Sequence, residues 1–355
     1  AHVAEPSETN LAQVELQADR ALRHTLVAAQ KPRMERVEMA RRLARWLMNA
    51  TPTASSLQTA VAWQSDQGAF VDWARFRLLG GDELPDLSQA YSACREAVIA
   101  RRNAFAKPFA QALVQWNAQK PAPEGRIIPL ESVLEHVLAP IAAAHPTLLL
   151  VMDGLSTSIF RELFARIASQ GWAEMVPSSL GQPLAGVAAL PTITEVSRAS
   201  LLCGRLTVGA SAQEKTGFAT NAALLAHSRA DAPPRLFHKG DLADATNLAP
   251  EVRAAIASTQ QRVVGVVYNA VDDHLSGPDQ LHQRWALEDL RLLLPLLREA
   301  REARRVVVIT ADHGHLLEDG TTQLPGGESD RWRPGKNAET PNELEVSGGR
   351  VVTSD

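Results

Sequence analysis

Only two cysteines, Cys94 and Cys203, occur in the 355 residues. That excludes a disulfide scaffold and a cysteine-built zinc site. Long hydrophobic runs are missing too: stretches such as Thr147–Met152 and Val306–Thr310 fall far short of the ~20 residues of a membrane span, so no membrane association is expected. Neither sign of charge dominates, with 36 Lys and Arg against 40 Asp and Glu for a formal net charge of -4. This argues against a dedicated nucleic-acid coat, while leaving room for a local basic groove. No Gly-x-x-x-x-Gly-Lys-Ser/Thr loop, Gly-x-Gly-x-x-Gly after a strand, His-Glu-x-x-His, Cys-x-x-Cys or Gly-x-Ser-x-Gly occurs. NTPase, nicotinamide-enzyme and zincin readings therefore fall away, and a serine-hydrolase reading weakens. The opening Ala-His-Val-Ala-Glu lacks a basic region leading into an apolar one, so no secretory signal is expected and the expected location is cytoplasmic. The first residue is not Met, which suggests a piece of a longer chain.

What is present is globular: 45% hydrophobic and 21% charged residues, in a chain long enough for two domains. The first third reads as helical. Leu22, Leu26, Val37, Ala40, Leu43 and Leu47 keep helical spacing within Leu11–Asn49, and further helical stretches cover Leu57–Leu79 and Leu87–Trp116. Trp46, Trp63, Trp73 and Trp116 are expected to pack between helices. Two prolines and a glycine in Gln119–Gly125 cannot continue a helix and mark a linker. The expected organisation is an all-helical N-terminal domain over 1–118, a linker over 119–130 and a second domain over 131–355.

In that second domain Ser132–Ala144 and Ser158–Gln170 read as helices, and Thr147–Met152, Arg262–Asn269 and Val306–Thr310 as buried strands. Leu281–Arg305 reads as one long helix kinked at Pro295. Strands alternating with helices predict an α/β fold with a mostly parallel sheet flanked by helices. Glu343–Val352 reads as edge β after a polar, Gly/Pro-rich stretch, Thr321–Pro341.

Chemistry-bearing residues gather where the apolar strands end, the place of the functional crevice in open α/β sheets. Asp153 follows the first strand, Asp272, Asp273 and His274 the second, and Asp312 and His313 the third. Carboxylate oxygen and imidazole nitrogen together suit zinc, manganese or a similar divalent ion. A single Asp at such a position reads equally well as a turn or helix cap; three strand ends in one sheet would face one crevice. Between them, Leu190–Gly204 reads as a loop entering a short helix ended by glycine, with Thr192 and Glu195 fitting a capping box. Thr194 lies in its first turn, where free N–H groups favour phosphate and where a hydroxyl beside a metal could ionise. Arg198, about one turn on, could stabilise phosphoryl charge or form a salt bridge. Lys215, His238, Lys239, Arg331 and Arg333 are further cationic candidates.

Pro191-Thr192-Ile193-Thr194 with a helix ending Leu-Leu-Cys-Gly resembles the nucleophile segment of the alkaline phosphatase superfamily, especially its phosphodiesterase branch. Asp153-Gly154 and Asp312-His313-Gly314 resemble its metal-ligand motifs. More narrowly, Val196-Ser197-Arg198-Ala199-Ser200, Tyr268–Leu275, and Ala311–His315 with Arg331-Trp332-Arg333 are similar to the PglZ family of bacteriophage exclusion (BREX) defence systems, over roughly residues 145–355. The resemblance implies a metal-dependent phosphohydrolase acting on a phosphomonoester or phosphodiester, with other phage-defence proteins as partners and nucleic acid among the candidate substrates. It implies two divalent ions, zinc or manganese. Asp153, Thr194, Asp312 and His313 would hold one, with Thr194 as nucleophile. His274 and Asp272 or Asp273 would hold the other. The superfamily places that Asp about four residues before the His, where Ala270 stands. A later His is also usual in the superfamily, and none follows His315 in this sequence. His315 is therefore carried as a further candidate ligand or supporting residue, and the sequence is expected to lack a C-terminal part. The different-class alternative is a non-catalytic scaffold of the defence complex with a vestigial or structural metal site.

Overall fold

The computed structural model describes residues 7–24, 27–50, 54–119, 121–244, 247–275, 285, 287–315, 332–335, 340 and 343–352, with the side chains of residues 27, 28, 270 and 274 left out. They form two compact units that divide between Leu113 and Val114.

The N-terminal unit is helical among its described residues: α1 (Glu8–Leu22), α2 (Lys31–Met48), α3 (Leu57–Trp63), α4 (Ala69–Arg77) and most of α5 (Pro85–Ala118). Caps and turns set the breaks. Ser7 accepts from the Asn10 amide at the start of α1, and Ser56 with Thr59 forms a capping box on α3. The apolar stripe of α2, Met39, Ala40, Leu43 and Leu47, is buried with Val71, Ala74, Tyr91, Cys94 and Val98. Trp46 and Trp63 stand 6.3 Å apart, and Trp63 lies 4.3 Å from Phe105, so these rings serve packing. The arginines of α2 are taken up by acids, Arg33 by Asp82, Arg41 by Asp19 and Arg45 by Glu15.

The second unit opens with β1 (Ile127–Pro129), where the sequence reads as linker. Ile127 and Ile128 are buried, and that burial draws the segment into a parallel pair with β3 (Ala185–Val187). A π-helical turn, Leu134–Leu138, and α6 (Ala139–Ala144) lead to β2 (Thr147–Met152), followed by α7 (Thr157–Ser169). After β3 come a π-helical turn Thr194–Arg198, α8 (Ala199–Cys203), α9 (Ser211–Ala219), α10 (Ala222–Leu225), β4 (Arg235–Phe237) and α11 (Lys239–Leu242). A small hairpin, β5 (Ala243–Asp244) and β6 (Asn247–Leu248), precedes α12 (Pro250–Ala257), β7 (Val263–Tyr268), α13 (Ala270–Leu275), α14 (Leu293–Glu302) and β8 (Val306–Thr310).

The main sheet is parallel with strand order β4-β7-β2-β8. All six residues of β2 are buried. Because side chains alternate across a strand, Leu148, Leu150 and Met152 enter one core cluster while Leu149 and Val151 enter the other. β7 divides likewise, with Val264, Val266 and Tyr268 on one face and Val263 and Val267 on the other. Each such buried aliphatic side chain contributes roughly 1.5–3 kcal/mol, which fixes the register. Met152 pairs with Tyr268 and Val151 with Thr310, so the three strands end at one level. No helix among the described residues is long and apolar enough to cross a membrane.

Three expectations change. β8 is half-buried rather than buried, because it is the outer strand of the described sheet and has β2 alone beside it. The long helix expected over Leu281–Arg305 is shorter: residues 287–292 form turns, α14 starts at Leu293, and 281–284 lie outside the described residues. Pro295 therefore sits in the first turn, where its missing N–H leaves no bond unmade, and introduces no kink. Glu343–Val352 forms no strand; Val351 alone bridges Leu190. A buried Arg350, paired with Glu131 and bonded to the Val187 carbonyl, holds that segment down.

Candidate active site

Strand ends build the site. Asp153 follows β2 and its amide still bonds the Tyr268 carbonyl of β7, which sets it beside Asn269. Asn269 Nδ2 donates to Asp153 Oδ2 at 2.8 Å, and Arg198 Nη1 donates to the same oxygen at 2.7 Å. Oδ1 is buried and has no hydrogen-bond partner. Gly154 turns the chain in the left-handed region (φ 70°), which a side chain there would disfavour. Its amide donates to Asp312 Oδ1 at 3.2 Å, and His315 Nδ1 donates to its carbonyl at 2.7 Å.

Asp312, two residues past β8, is fully buried. Its Oδ1 also accepts the His313 amide at 2.9 Å, while Oδ2 has no partner. His313 Nδ1 lies 2.8 Å from the Gly314 carbonyl. A carbonyl only accepts, so Nδ1 carries the proton and Nε2 presents a lone pair. Nε2 stands 3.5 Å from Asp312 Oδ2, 3.8 Å from Asp153 Oδ1 and 3.2 Å from Thr194 Oγ1. One ligand atom from each of Asp153, Asp312 and His313 lies within 4.8 Å of the others. Burial first, then the Asp312 charge, pushes the Asp153 carboxyl up to about 7 against the pull of Arg198. Burial likewise raises Asp312.

Thr194 opens the π-helical turn that runs into α8, which ends at a left-handed Gly204 (φ 67°). The expected Thr192–Glu195 capping box does not form. Ile193 is the cap residue with no side-chain bond, and Glu195 is exposed. The turn is anchored from its other side: fully buried Ser197 donates its hydroxyl to the Asp312 carbonyl at 2.5 Å, one turn from Thr194. That bond holds the threonine hydroxyl against His313. Arg198 is buried between Asp153 and Glu214, with Nε donating to Glu214 Oε1 at 3.0 Å.

The structure thus gathers Asp153, Thr194, Asp312, His313 and Arg198. Asp272 and Asp273 follow on α13, both exposed; Asp273 pairs with Lys239 at 2.7 Å, and the Asp272 carboxylate approaches Gly154. His274 belongs to the same helix, its side chain outside the description. His315 bonds the Gly154 carbonyl and stands outside the Asp153, Asp312 and His313 group. Lys215 pairs with Asp241, Arg333 pairs with Glu343, and Arg331 lies outside the described residues. Sequence reasoning missed Asn269, Ser197 and Glu214. The strand-end rule points to Asn269, which directly follows β7; Ser197 lies within the family-like Val196–Ser200 segment, and Glu214 carries no comparable signal.

The family model of the BREX system PglZ alkaline phosphatase-like domain matches residues 133–340, more than half of the chain. The chain belongs to the PglZ family. No curated protein matches it. Alkaline-phosphatase-like families usually bind metals, and the PglZ site here fits that habit on its own chemistry. Two buried carboxylate oxygens without partners and one imidazole lone pair point at one another, a donor set of the hard and borderline kind that divalent ions take.

Proposed function

We propose that this PglZ protein is a metal-dependent phosphohydrolase of a BREX-type phage-defence system, acting on a phosphomonoester or phosphodiester through Thr194. The observation that carries the reading is the Thr194 hydroxyl at 3.2 Å from His313 Nε2, beside the two partnerless oxygens of Asp153 and Asp312. Asp153 Oδ1, Asp312 Oδ2 and His313 Nε2 would hold a divalent ion, zinc or manganese, and a second would draw on Asp272 or Asp273 and His274, with His315 as a further candidate. When bound, the ions supply positive charge that lowers the pKa of a nearby hydroxyl and draws phosphoryl oxygens.

The remaining work falls to the chain. Ser197 and the turn it anchors aim Thr194 Oγ1 into the cluster. That oxygen gives its proton to a water and bonds to phosphorus as the bond from phosphorus to the leaving oxygen breaks. The leaving oxygen takes a proton from water. A second water cleaves the phosphothreonine and restores the hydroxyl, releasing phosphate from a monoester substrate or a phosphomonoester from a diester. Arg198 fixes Asp153 through the 2.7 Å bond to Oδ2, a positioning duty that takes up the salt-bridge alternative its spacing left open. The substrate is a phosphate ester, with a nucleic-acid backbone the class most natural to defence, and the partners are other proteins of that system, in the cytoplasm.

A scaffold reading draws on one observation, the exposure of Asp272 and Asp273 and the engagement of Asp273 by Lys239. Hydrolysis of p-nitrophenyl phosphate and bis(p-nitrophenyl) phosphate with added zinc or manganese separates the two. Turnover that Thr194→Ala abolishes supports the enzyme. Absence of turnover with every ion supports the scaffold.

A further inference from the structure

Glu214 is fully buried on α9, on a helix rather than a strand end. A carboxylate is almost never found at that depth without charged partners. Its Oε1 accepts from Arg198 Nε at 3.0 Å, and its Oε2 stands 2.5 Å from His238 Nε2. His238 follows β4 as Asp153 follows β2, and its own amide bonds Asp241 Oδ2 at 2.8 Å. A chain of buried polar groups thus runs from Asp153 through Arg198 and Glu214 to His238.

We propose that Glu214, seated by His238, is a positioning residue that holds Arg198 on Asp153 Oδ2 and so leaves Asp153 Oδ1 free to bind the ion.

This rests on the metal-dependent reading above and deepens it. Charge is the first argument. Three buried carboxyl groups, Asp153, Asp312 and Glu214, gather around one buried arginine, Arg198, so the group has more acid than cation to share and a divalent ion would supply the missing positive charge. An arginine bound to Asp153 alone would cancel that carboxylate; shared with Glu214, its charge is divided and Asp153 keeps donor strength. Geometry is the second. The planar guanidinium uses Nε on Glu214 and Nη1 on Asp153, so its plane is fixed at both edges. Groups that orient a ligand in this way typically govern metal affinity by about 10- to 100-fold.

The test is zinc affinity of the full chain, read by competition with a chromogenic chelator. Glu214→Gln is expected to weaken binding by about 10- to 100-fold at unchanged stoichiometry. His238→Ala is expected to shift affinity in the same direction, and His238→Gln, whose amide still donates to Glu214 Oε2, to return it close to the wild-type value. Should Glu214→Gln fail to fold, the two His238 variants carry the decision. Wild-type affinity in the folded variants, with only their melting temperature lowered, makes the network a structural brace and overturns the proposal. A wild-type chain that takes up no zinc overturns instead the metal-dependent reading beneath it.

Discussion

Replacing Asp312 with Asn separates the cost of the empty-handed carboxylates from their use. Asp312 Oδ1 accepts the Gly154 and His313 amides, and an asparagine oxygen can keep both. Its amide nitrogen would then take the place of Oδ2 and meet Asp153 Oδ1, giving that oxygen a donor. The variant removes one member of a like-charged pair whose ligand atoms lie within 4.8 Å. At an effective dielectric near 20 that repulsion is about 3 kcal/mol, and satisfying a buried oxygen adds about 1–3 kcal/mol. Arg198 and Asn269 already offset part of it at Asp153, so the expected net gain in chelator at pH 8 is on the order of 1–3 kcal/mol. In a unit of this size that raises the melting temperature by a few degrees to about 10 °C. The sign reverses with metal: at a hundredfold excess over Kd the wild type gains about 2.7 kcal/mol and the variant little. pH supplies an internal check. The Asp153 carboxyl is raised from 3.8 to about 7, so the folded state holds a proton that the unfolded chain has lost. Wild-type stability in chelator should therefore fall as pH rises from about 4 through 7, and the advantage of Asp312→Asn should grow over that window. Calorimetry of the full chain with chelator and with zinc measures every arm. A variant less stable in chelator, or one that gains as much from zinc as the wild type, refutes the reasoning.

Ser197→Ala removes the hydroxyl that bonds the Asp312 carbonyl and should cost about 1–2 kcal/mol and lower turnover. Ser200→Ala, whose hydroxyl bonds the Thr207 backbone, should affect stability without a matching loss of activity, as calorimetry beside the ester assay will reveal. Arg305, buried, donates to six backbone carbonyls, two of them, Ala255 and Ile256, in the last turn of α12. Arg305→Met should cost about 3–5 kcal/mol in denaturant unfolding, and Arg305→Lys should not rescue it, since one ammonium cannot span that fork. Burial pushes the Cys94 thiol up to about 12, so Cys94 should react with a disulfide reagent only once the N-terminal unit unfolds. Modification of Cys94 in the native protein at the rate of a free thiol would contradict this.

The fold was legible where burial on both strand faces leaves a continuous apolar run, as in Thr147–Met152 and Val263–Tyr268. It was less legible where composition and environment part company. Val306–Thr310 is as apolar as a central strand, yet composition does not report how many neighbours a strand has. The leucines before Pro295 satisfy helical spacing while the chain at 287–292 makes turns, because apolar turn residues such as Leu287 and Leu290 are buried too. The Thr192–Glu195 pattern fits a cap, but the tertiary bond from Ser197 to Asp312 sets where the turn begins.

The site divides along the same line. Asp153, Asp312 and His313 were readable because a strand end followed by a carboxylate or imidazole is a placement rule, and strand register turns placement into proximity. The groups that hold these side chains in place were not, since Asn269, Ser197 and Glu214 act through partners 116, 115 and 16 residues away in sequence. Arg198 is the instructive case. Its position one turn after Thr194 suggests a hand on the phosphoryl group, and only the burial of Glu214 beside it redirects that hand to Asp153. A cation on the turn that begins at Thr194 thus faces outward or turns to a neighbouring carboxyl according to whether a second buried acid lies within reach. In this chain α9 supplies that acid in Glu214, and Arg198 lies between it and Asp153.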